Sequence, residues 1–221
     1  MNENELFKKV MVFAAHPDDE VIGCGGSIAK HLKNGRIVEV SYMSSTDASQ
    51  TPDKTRIREK EAKNACKVLG VNNFFFLREP GRYIQYNRKT VETVVTLLKK
   101  ESPSCVYVHD SRDWDIDHRA TYKIVSEACW LSGLDMPQCG TNKTDIKFIL
   151  LYEIWTPLQD FQYSEDISQF MDTKISALQK YKSQLSTVRY DEAIRGLNIF
   201  RGIMSGSGEY AEVFKIKRLR P

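Results

Sequence analysis

The sequence predicts an α/β fold, a mainly parallel sheet flanked by helices in three layers. Two observations carry this. Short apolar runs alternate along the 221 residues with longer stretches whose apolar residues recur at i, i+3, i+4 and i+7. Turn and helix-stop residues, such as Asn34-Gly35, Gly70 and Ser102-Pro103, stand at the joins. A chain of this length supports one sizeable core, so residues 1–221 are expected to form a single Rossmann-like domain.

Residues 10–15 (VMVFAA) are apolar throughout, as a strand covered on both faces requires, and a helix is expected over about 22–33, ended by Asn34-Gly35. Residues 36–43 form the next strand, with a polar loop over 44–50. Ala62, Ala65, Cys66 and Leu69 lie on one helical face that Gly70 closes, and 74–77 is a third strand. Val91, Val94, Val95 and Leu98 repeat the spacing in a helix over about 89–100. Residues 105–108 form a short buried strand, and 118–131 a helix with His118 in its first turn. A strand over 147–155, one long helix over 167–185, another over 191–205 and a last strand over 211–219 complete the reading.

Hydrophobic content of 41% and charged content of 28% are ordinary for a globular protein. A net charge of +3 is too mild to imply nucleic acid as a partner, and residues 215–220 read as an edge strand with a solvated basic face. No run approaches the roughly 20 apolar residues of a spanning helix, and the first nine residues lack a signal-peptide apolar region. Five cysteines without C-x-x-C spacing suit reduced thiols better than a disulfide framework. The expected location is the cytoplasm, without membrane insertion; a homo-oligomer is left open.

The chemistry concentrates in two places. His16-Pro17-Asp18-Asp19-Glu20 follows the first strand directly, and could offer a metal one imidazole and one carboxylate while leaving a second carboxylate to move protons. Alone, these acids could simply complement a helix N-terminus. The stretch from His109 to Arg119 follows a second strand with four carboxylates and two imidazoles, more charge than a turn needs, so a bound cation is the natural compensation. Three of the four histidines lie in these two clusters. Ligands bind beyond the carboxyl ends of strands in such sheets, so two neighbouring strands would bring both clusters to one metal.

AHPDDE at Ala15 to Glu20, with H-x-x-x-D-x-D-x-D-H-R at His109 to Arg119, resembles the zinc-dependent deacetylases of the LmbE/PIG-L family, which hydrolyse N-acetyl groups on amino sugars and their conjugates. Later stretches, including Tyr152-Glu153-Ile154, Tyr181-Lys182-Ser183-Gln184 and Tyr210-Ala211-Glu212-Val213-Phe214, extend the resemblance over nearly the whole chain. It implies one Zn2+ per chain on His16, Asp19 and His118, with Asp18 as general base and a small N-acetylated sugar or conjugate as substrate. Three ligands with an open position for water suit a catalytic zinc.

Two departures matter. Many family members carry a histidine where this chain has Asp115, which leaves the general acid open; Asp115 and Asp117 join Asp18 as catalytic candidates. The family's sugar-binding aspartate is missing near Leu77-Arg78-Glu79, and Glu79 is the nearest substitute. Arg58, Glu79, His109 and Asp113 are the substrate-binding candidates, with Asp113, Asp117 and His109 also placed to orient the metal histidines. Tyr83, Tyr86, Trp114, Trp130 and Trp155 could stack on sugars or simply pack. The other readings are an amidase acting on a thiol or antibiotic conjugate, a metal-binding protein without catalysis, and a nucleotide-binding module using Gly23-Cys24-Gly25-Gly26 to cradle phosphate.

Overall fold

A computed structural model describes residues 3–46 and 51–218. After a short helix α1 (Glu3–Leu6), the chain alternates as expected: β1 (Lys9–Ala14), α2 (Asp19–Lys33), β2 (Ile37–Tyr42), α3 (Pro52–Leu69), β3 (Asn73–Phe76), α4 (Arg88–Glu101), β4 (Cys105–His109) and α5 (Ile116–Leu131). β5 (Phe148–Tyr152), β6 (Tyr163–Asp166), α6 (Met171–Leu178), α7 (Lys182–Leu185), α8 (Tyr190–Ser205) and β7 (Ala211–Arg218) follow. Residues 47–50 of the expected polar loop, and the chain beyond Arg218, lie outside the described residues.

The seven strands form one mixed sheet in the order β3-β2-β1-β4-β5-β7-β6. The first five are parallel, and β7 runs antiparallel between β5 and β6. Strand order reverses between β1 and β4, which pair directly (Val10 with Cys105, Val12 with Tyr107), so the segments leaving their carboxyl ends emerge side by side at the switch point.

Alternate residues of β1 explain the layers. Val10, Val12 and Ala14 pack with α2, α3 and α6 on one face, while Met11 and Phe13 pack with α4 and α5 on the other. Both sets are fully buried, which is why the strand reads as an unbroken apolar run. Helix ends follow local chemistry. Thr51 accepts the Lys54 N–H and Asn87 that of Thr90, and Gly70, at φ 89°, closes α3.

Four expectations are corrected. The single helix over 167–185 is broken into a turn at 168–170, α6 and α7, because the chain tightens at Gln179 to Tyr181 and sinks the Tyr181 ring into the core. β6 was not foreseen, since Tyr163-Ser164-Glu165-Asp166 offers almost no apolar pattern; its ladder to β7 holds it. The strand expected to reach Trp155 stops at Tyr152. The basic end was expected to be an edge strand, but β7 lies between β5 and β6; from Lys215 on its ladder is to β5 alone, and the Ile216 N–H donates to Gln162 Oε1 at 3.0 Å.

Gly23-Cys24-Gly25-Gly26 does not form a phosphate cradle. A Cβ on Gly23 would lie 2.3 Å from the Tyr152 ring, and one on Gly26 would lie 2.7 Å from Ile167. These glycines let α2, kinked at Cys24, press against its neighbours. The amides of Gly26 and Ser27 donate to Glu212 at 2.9 and 2.8 Å, so a protein carboxylate already holds the anion position. All five cysteines are free and buried.

Candidate metal centre and active site

β1 and β4 deliver the two clusters to one point. The Ala15 N–H donates to His109 Nε2 at 2.9 Å, joining the strand ends, and His16 to Asp19 turn directly into α2. Asp18 caps that helix with φ 115° and ψ −28°, a left-handed conformation costly for a residue other than glycine. Across the switch point, Asp115 caps α5 by accepting the Asp117 N–H at 2.8 Å, which starts the helix at Ile116 and sets His118 in its first turn.

His16, Asp19 and His118 each offer one ligand atom, and these atoms lie within 4.8 Å of one another. His118 Nε2 is 3.4 Å from Asp19 Oδ1, and His16 Nδ1 is 3.7 Å from Asp19 Oδ2. Neither is good hydrogen-bond geometry, but ligands at 2.0–2.2 Å around a tetrahedral ion stand about 3.4 Å apart. Each histidine is backed by a carboxylate on its far nitrogen. His16 Nε2 sits 2.9 Å from Asp117 Oδ2, and His118 Nδ1 sits 3.2 Å from Asp113 Oδ1. That arrangement fixes the ring and raises its basicity, as behind most metal-binding imidazoles. The donor set therefore fits a divalent cation.

The charges agree. Burial opposes ionisation of Asp19, but the His118, His109 and His16 rings outweigh it and hold the carboxyl well below the usual carboxylate range. Burial likewise opposes charge on His118, yet Asp19 and Asp113 raise it to about 10, so the site draws a proton or another cation to that ring. Asp113 and Asp117 are both held low despite burial. His118 and the backbone amides of Asp115 and Trp155 act on the first; His16 and the amides of Arg82 and Ile84 act on the second.

Asp18 is not among these three. It is 5% exposed, and burial raises its carboxyl to about 7 although Arg58, with Nη2 3.7 Å away, pulls the other way. Arg58 also donates to the Pro17 carbonyl at 2.5 Å, so this arginine lies against the motif rather than on a solvated helix face.

The remaining candidates are placed differently. Asp115 is engaged by its cap and by Arg82, whose Nη1 donates to Oδ2 at 2.6 Å. Asp117 receives the Arg82 amide in a short hydrogen bond and the Ile84 amide at 3.3 Å, pinning the 82–84 loop beside His16. Asp113, read from sequence both as a substrate candidate and as a residue orienting a metal histidine, stands behind His118 and accepts the Trp155 backbone N–H at 2.9 Å, which suits the second of these. His109 is fully buried and stacked 4.0 Å from His118; it is an acceptor toward Ala15, and burial lowers its pKa well below the usual value. Glu79 contributes its amide to Met43 O at 2.8 Å, extending the β2–β3 ladder, and its side chain is half-buried.

Two contributors, Glu20 and Tyr190, were given no role from sequence, whereas Trp155 was already a possible sugar-stacking ring. Glu20 is completely buried; Oε2 accepts the Asp18 N–H at 3.1 Å, while Oε1 accepts the Tyr42 hydroxyl at 3.0 Å and the Tyr181 hydroxyl in a short bond. Burial raises its carboxyl to about 7, against the pull of the Tyr181 and Tyr42 hydroxyls. Trp155 lies parallel to His118 at 6.3 Å, and Tyr190 packs 5.1 Å from Trp155. The only available signal for Glu20 was its place in the motif, and its tyrosine partners lie 22 and 161 residues away.

A buried carboxylate-and-imidazole cluster that could hold a metal ion therefore stands at the switch point of a mostly parallel sheet, with the Asp18 carboxylate beside it. Residues 11–129 match the PIG-L family, described as GlcNAc-PI de-N-acetylase, and the chain belongs to that family. It is 29% identical to the diacetylchitobiose deacetylase of Thermococcus kodakarensis over 95% of this chain and 84% of that protein. The structure of the N,N'-diacetylchitobiose deacetylase from Pyrococcus horikoshii, complexed with its inhibitor MPG, superposes with a TM-score of 0.85 at 27% identity, covering 98% and 86% of the two chains. GalB, the 4-carboxy-2-hydroxymuconate hydratase of Pseudomonas putida, shares the fold with a TM-score of 0.80 at 20% identity, covering 97% of each chain.

Proposed function

We propose that this chain is a zinc-dependent N-deacetylase, one domain with one metal ion, that removes an acetyl group from an amino sugar or amino-sugar conjugate. The observation that carries the reading is the His16, Asp19 and His118 set with the buried Asp18 carboxylate beside it, outside that set and paired with Arg58 alone among the described residues. The relatives named diacetylchitobiose deacetylase support the acetamido sugar as substrate. Five buried free thiols agree with work in a reducing compartment.

His16, Asp19 and His118 would hold the ion, with Asp117 and Asp113 fixing the two rings. A divalent cation there supplies Lewis acidity and makes water more acidic near neutral pH. Asp18 takes the proton as water attacks the acetamide carbonyl. Burial raises the Asp18 carboxyl above the ordinary carboxylate range, which favours its holding that proton before returning it to the departing amine. Arg58 confines the Asp18 carboxylate and turns it toward the reaction. Asp115, tied to Arg82, sets the wall beside His16, and the Trp155 ring, near-parallel to His118 with Tyr190 tilted against it, offers an apolar surface for a sugar face.

Acetate release from N,N'-diacetylchitobiose by the zinc-loaded protein tests this reading. Asp18→Asn should keep the metal and lose about 10²- to 10⁴-fold in kcat; a variant that stays active with metal bound would assign the base elsewhere.

A further inference from the structure

Arg82 stands where a glycine would cost least. Between β3 and α4 the chain turns over Pro80-Gly81-Arg82-Tyr83, closed by the Tyr83 N–H donating to the Pro80 carbonyl at 3.1 Å. A turn with positive φ at its third residue ordinarily places glycine or asparagine there. Here the glycine is second, and Arg82 takes the left-handed conformation at φ 62°. A long side chain persists in that region only where its surroundings fix it, and such positions cluster at functional sites.

The surroundings hold Arg82 by main chain and side chain at once. Its N–H donates to Asp117 Oδ2 in a short hydrogen bond, and the same oxygen lies 2.9 Å from His16 Nε2. Its Nη1 donates to Asp115 Oδ2 at 2.6 Å, while the other Asp115 oxygen accepts the Asp117 N–H at 2.8 Å. Arg82, Asp115 and Asp117 therefore close a ring of hydrogen bonds. Asp115 is 3% and Asp117 1% exposed, so the guanidinium also compensates a buried anion. The ring takes in the first turn of α5, which carries His118, and the carboxylate behind His16. A carboxylate only accepts, so His16 carries its proton on Nε2 and leaves Nδ1 open on the Asp19 side.

We propose that Arg82 is a positioning residue for the metal centre. Through Asp117 it holds His16 in the tautomer and orientation that offer Nδ1 to the ion, and through Asp115 it ties that ring to the helix start bearing His118. This rests on the metal reading of His16, Asp19 and His118 and adds a residue that lies in neither sequence motif.

Three variants test it. Arg82→Gly keeps the main-chain donor and suits the turn, Arg82→Lys keeps the charge, and Asp115→Asn keeps a cap acceptor without the charge. Arg78→Gly is the control: Arg78 is also left-handed, at φ 56°, but its side chain pairs with Glu59 on α3 at 2.8 Å. Zinc affinity is read by chelator competition, and the histidine tautomers of the metal-free protein by long-range 1H–15N spectra of the rings. Arg82→Gly should weaken zinc binding about tenfold and move the His16 ring signals from one tautomer toward an average of two. The His31 signals, set by Tyr107 and Arg36, should stay in place. Arg82→Lys should recover most of the affinity. The Arg82→Gly, Asp115→Asn double variant should lose no more than the weaker single, because both break one pair. Should Arg82→Gly not fold, Asp115→Asn carries the same two readouts.

Unchanged zinc affinity and ring signals in Arg82→Gly, with a raised KM, would make Arg82 a substrate contact and overturn the proposal. Equal losses in Arg78→Gly would overturn it too, since loop order rather than Arg82 would then be the cause. A wild-type chain that takes up no zinc would count against the metal reading alone. A His16 ring that still shifts in Arg82→Gly would then support the positioning role, and one that does not would overturn it.

Discussion

Replacing Glu20 by glutamine tests how the fold holds its proposed base. Asp18 sits at φ 115°, a conformation costing about 1–3 kcal/mol, and its N–H is accepted by Glu20 Oε2 at 3.1 Å. Two tyrosine hydroxyls donate to the other oxygen. A glutamine keeps its single oxygen with the pair of hydroxyls and turns its NH2 toward the Asp18 amide, donor against donor. A buried donor left unsatisfied costs about 1–3 kcal/mol, comparable to the strain it was offsetting, so the turn at Asp18 can relax. If that relaxation takes the base out of line, kcat falls by about 5- to 150-fold. The assay is steady-state acetate release from N,N'-diacetylchitobiose, run with metal analysis and thermal unfolding. Lower kcat with KM and metal content retained is the expected result, and Tyr181→Phe, which removes a hydroxyl that does not touch Asp18, should lower stability more than kcat. Unchanged kcat in Glu20→Gln with a lowered Tm would refute the positioning role.

Three further outcomes follow from the geometry. Asp117→Asn removes the carboxylate 2.9 Å behind His16 and should weaken metal binding by about 10- to 100-fold, read by competition with a chromophoric chelator. Gly23→Ala places a methyl 2.3 Å from the Tyr152 ring and should cost about 1–3 kcal/mol in denaturant unfolding. His31 should make stability fall in acid. It is buried between Tyr107 and Arg36, at 2.8 and 2.9 Å, and burial, then Arg36 and Lys30, lowers its pKa from 6.5 to about 3. The unfolded chain then takes up a proton that the folded ring refuses. This contribution is complete above pH 6.5 and is lost as pH falls toward about 3, by about 2 kcal/mol at pH 5. The stability gap between wild type and His31→Gln, measured at pH 7 and pH 5, should shrink by that amount; a pH-independent gap would contradict it.

Much of the fold was legible because β1, β4 and the helices over them carry simple periodicities. Apolar runs marked buried strands, and Asn34-Gly35, Gly70 and Ser102 fell at helix ends. What escaped depends on long-range pairing. β6 is a polar tetrapeptide held by β7, and the break after α6 exists because Tyr181 reaches a carboxylate 161 residues away. The site divides the same way. His16, Asp19 and His118 could be singled out from two motifs, and the structure brings them together because β1 and β4 are neighbours. From sequence Asp113 is both a substrate candidate and an orienting residue, since its spacing alone does not say which histidine it faces; the structure sets it behind His118. The commitment of Asp115 to Arg82 requires the 82–84 loop, which carries no periodic signal.

Metal content of the chain after loading with zinc and desalting, measured by atomic emission for wild type and His118→Ala, tests most directly whether these strand ends build one cation site. One tightly held ion per wild-type chain, lost in the variant while the fold persists by circular dichroism, is the predicted result. A wild-type chain that retains no ion, or a variant that keeps its full complement, would contradict it.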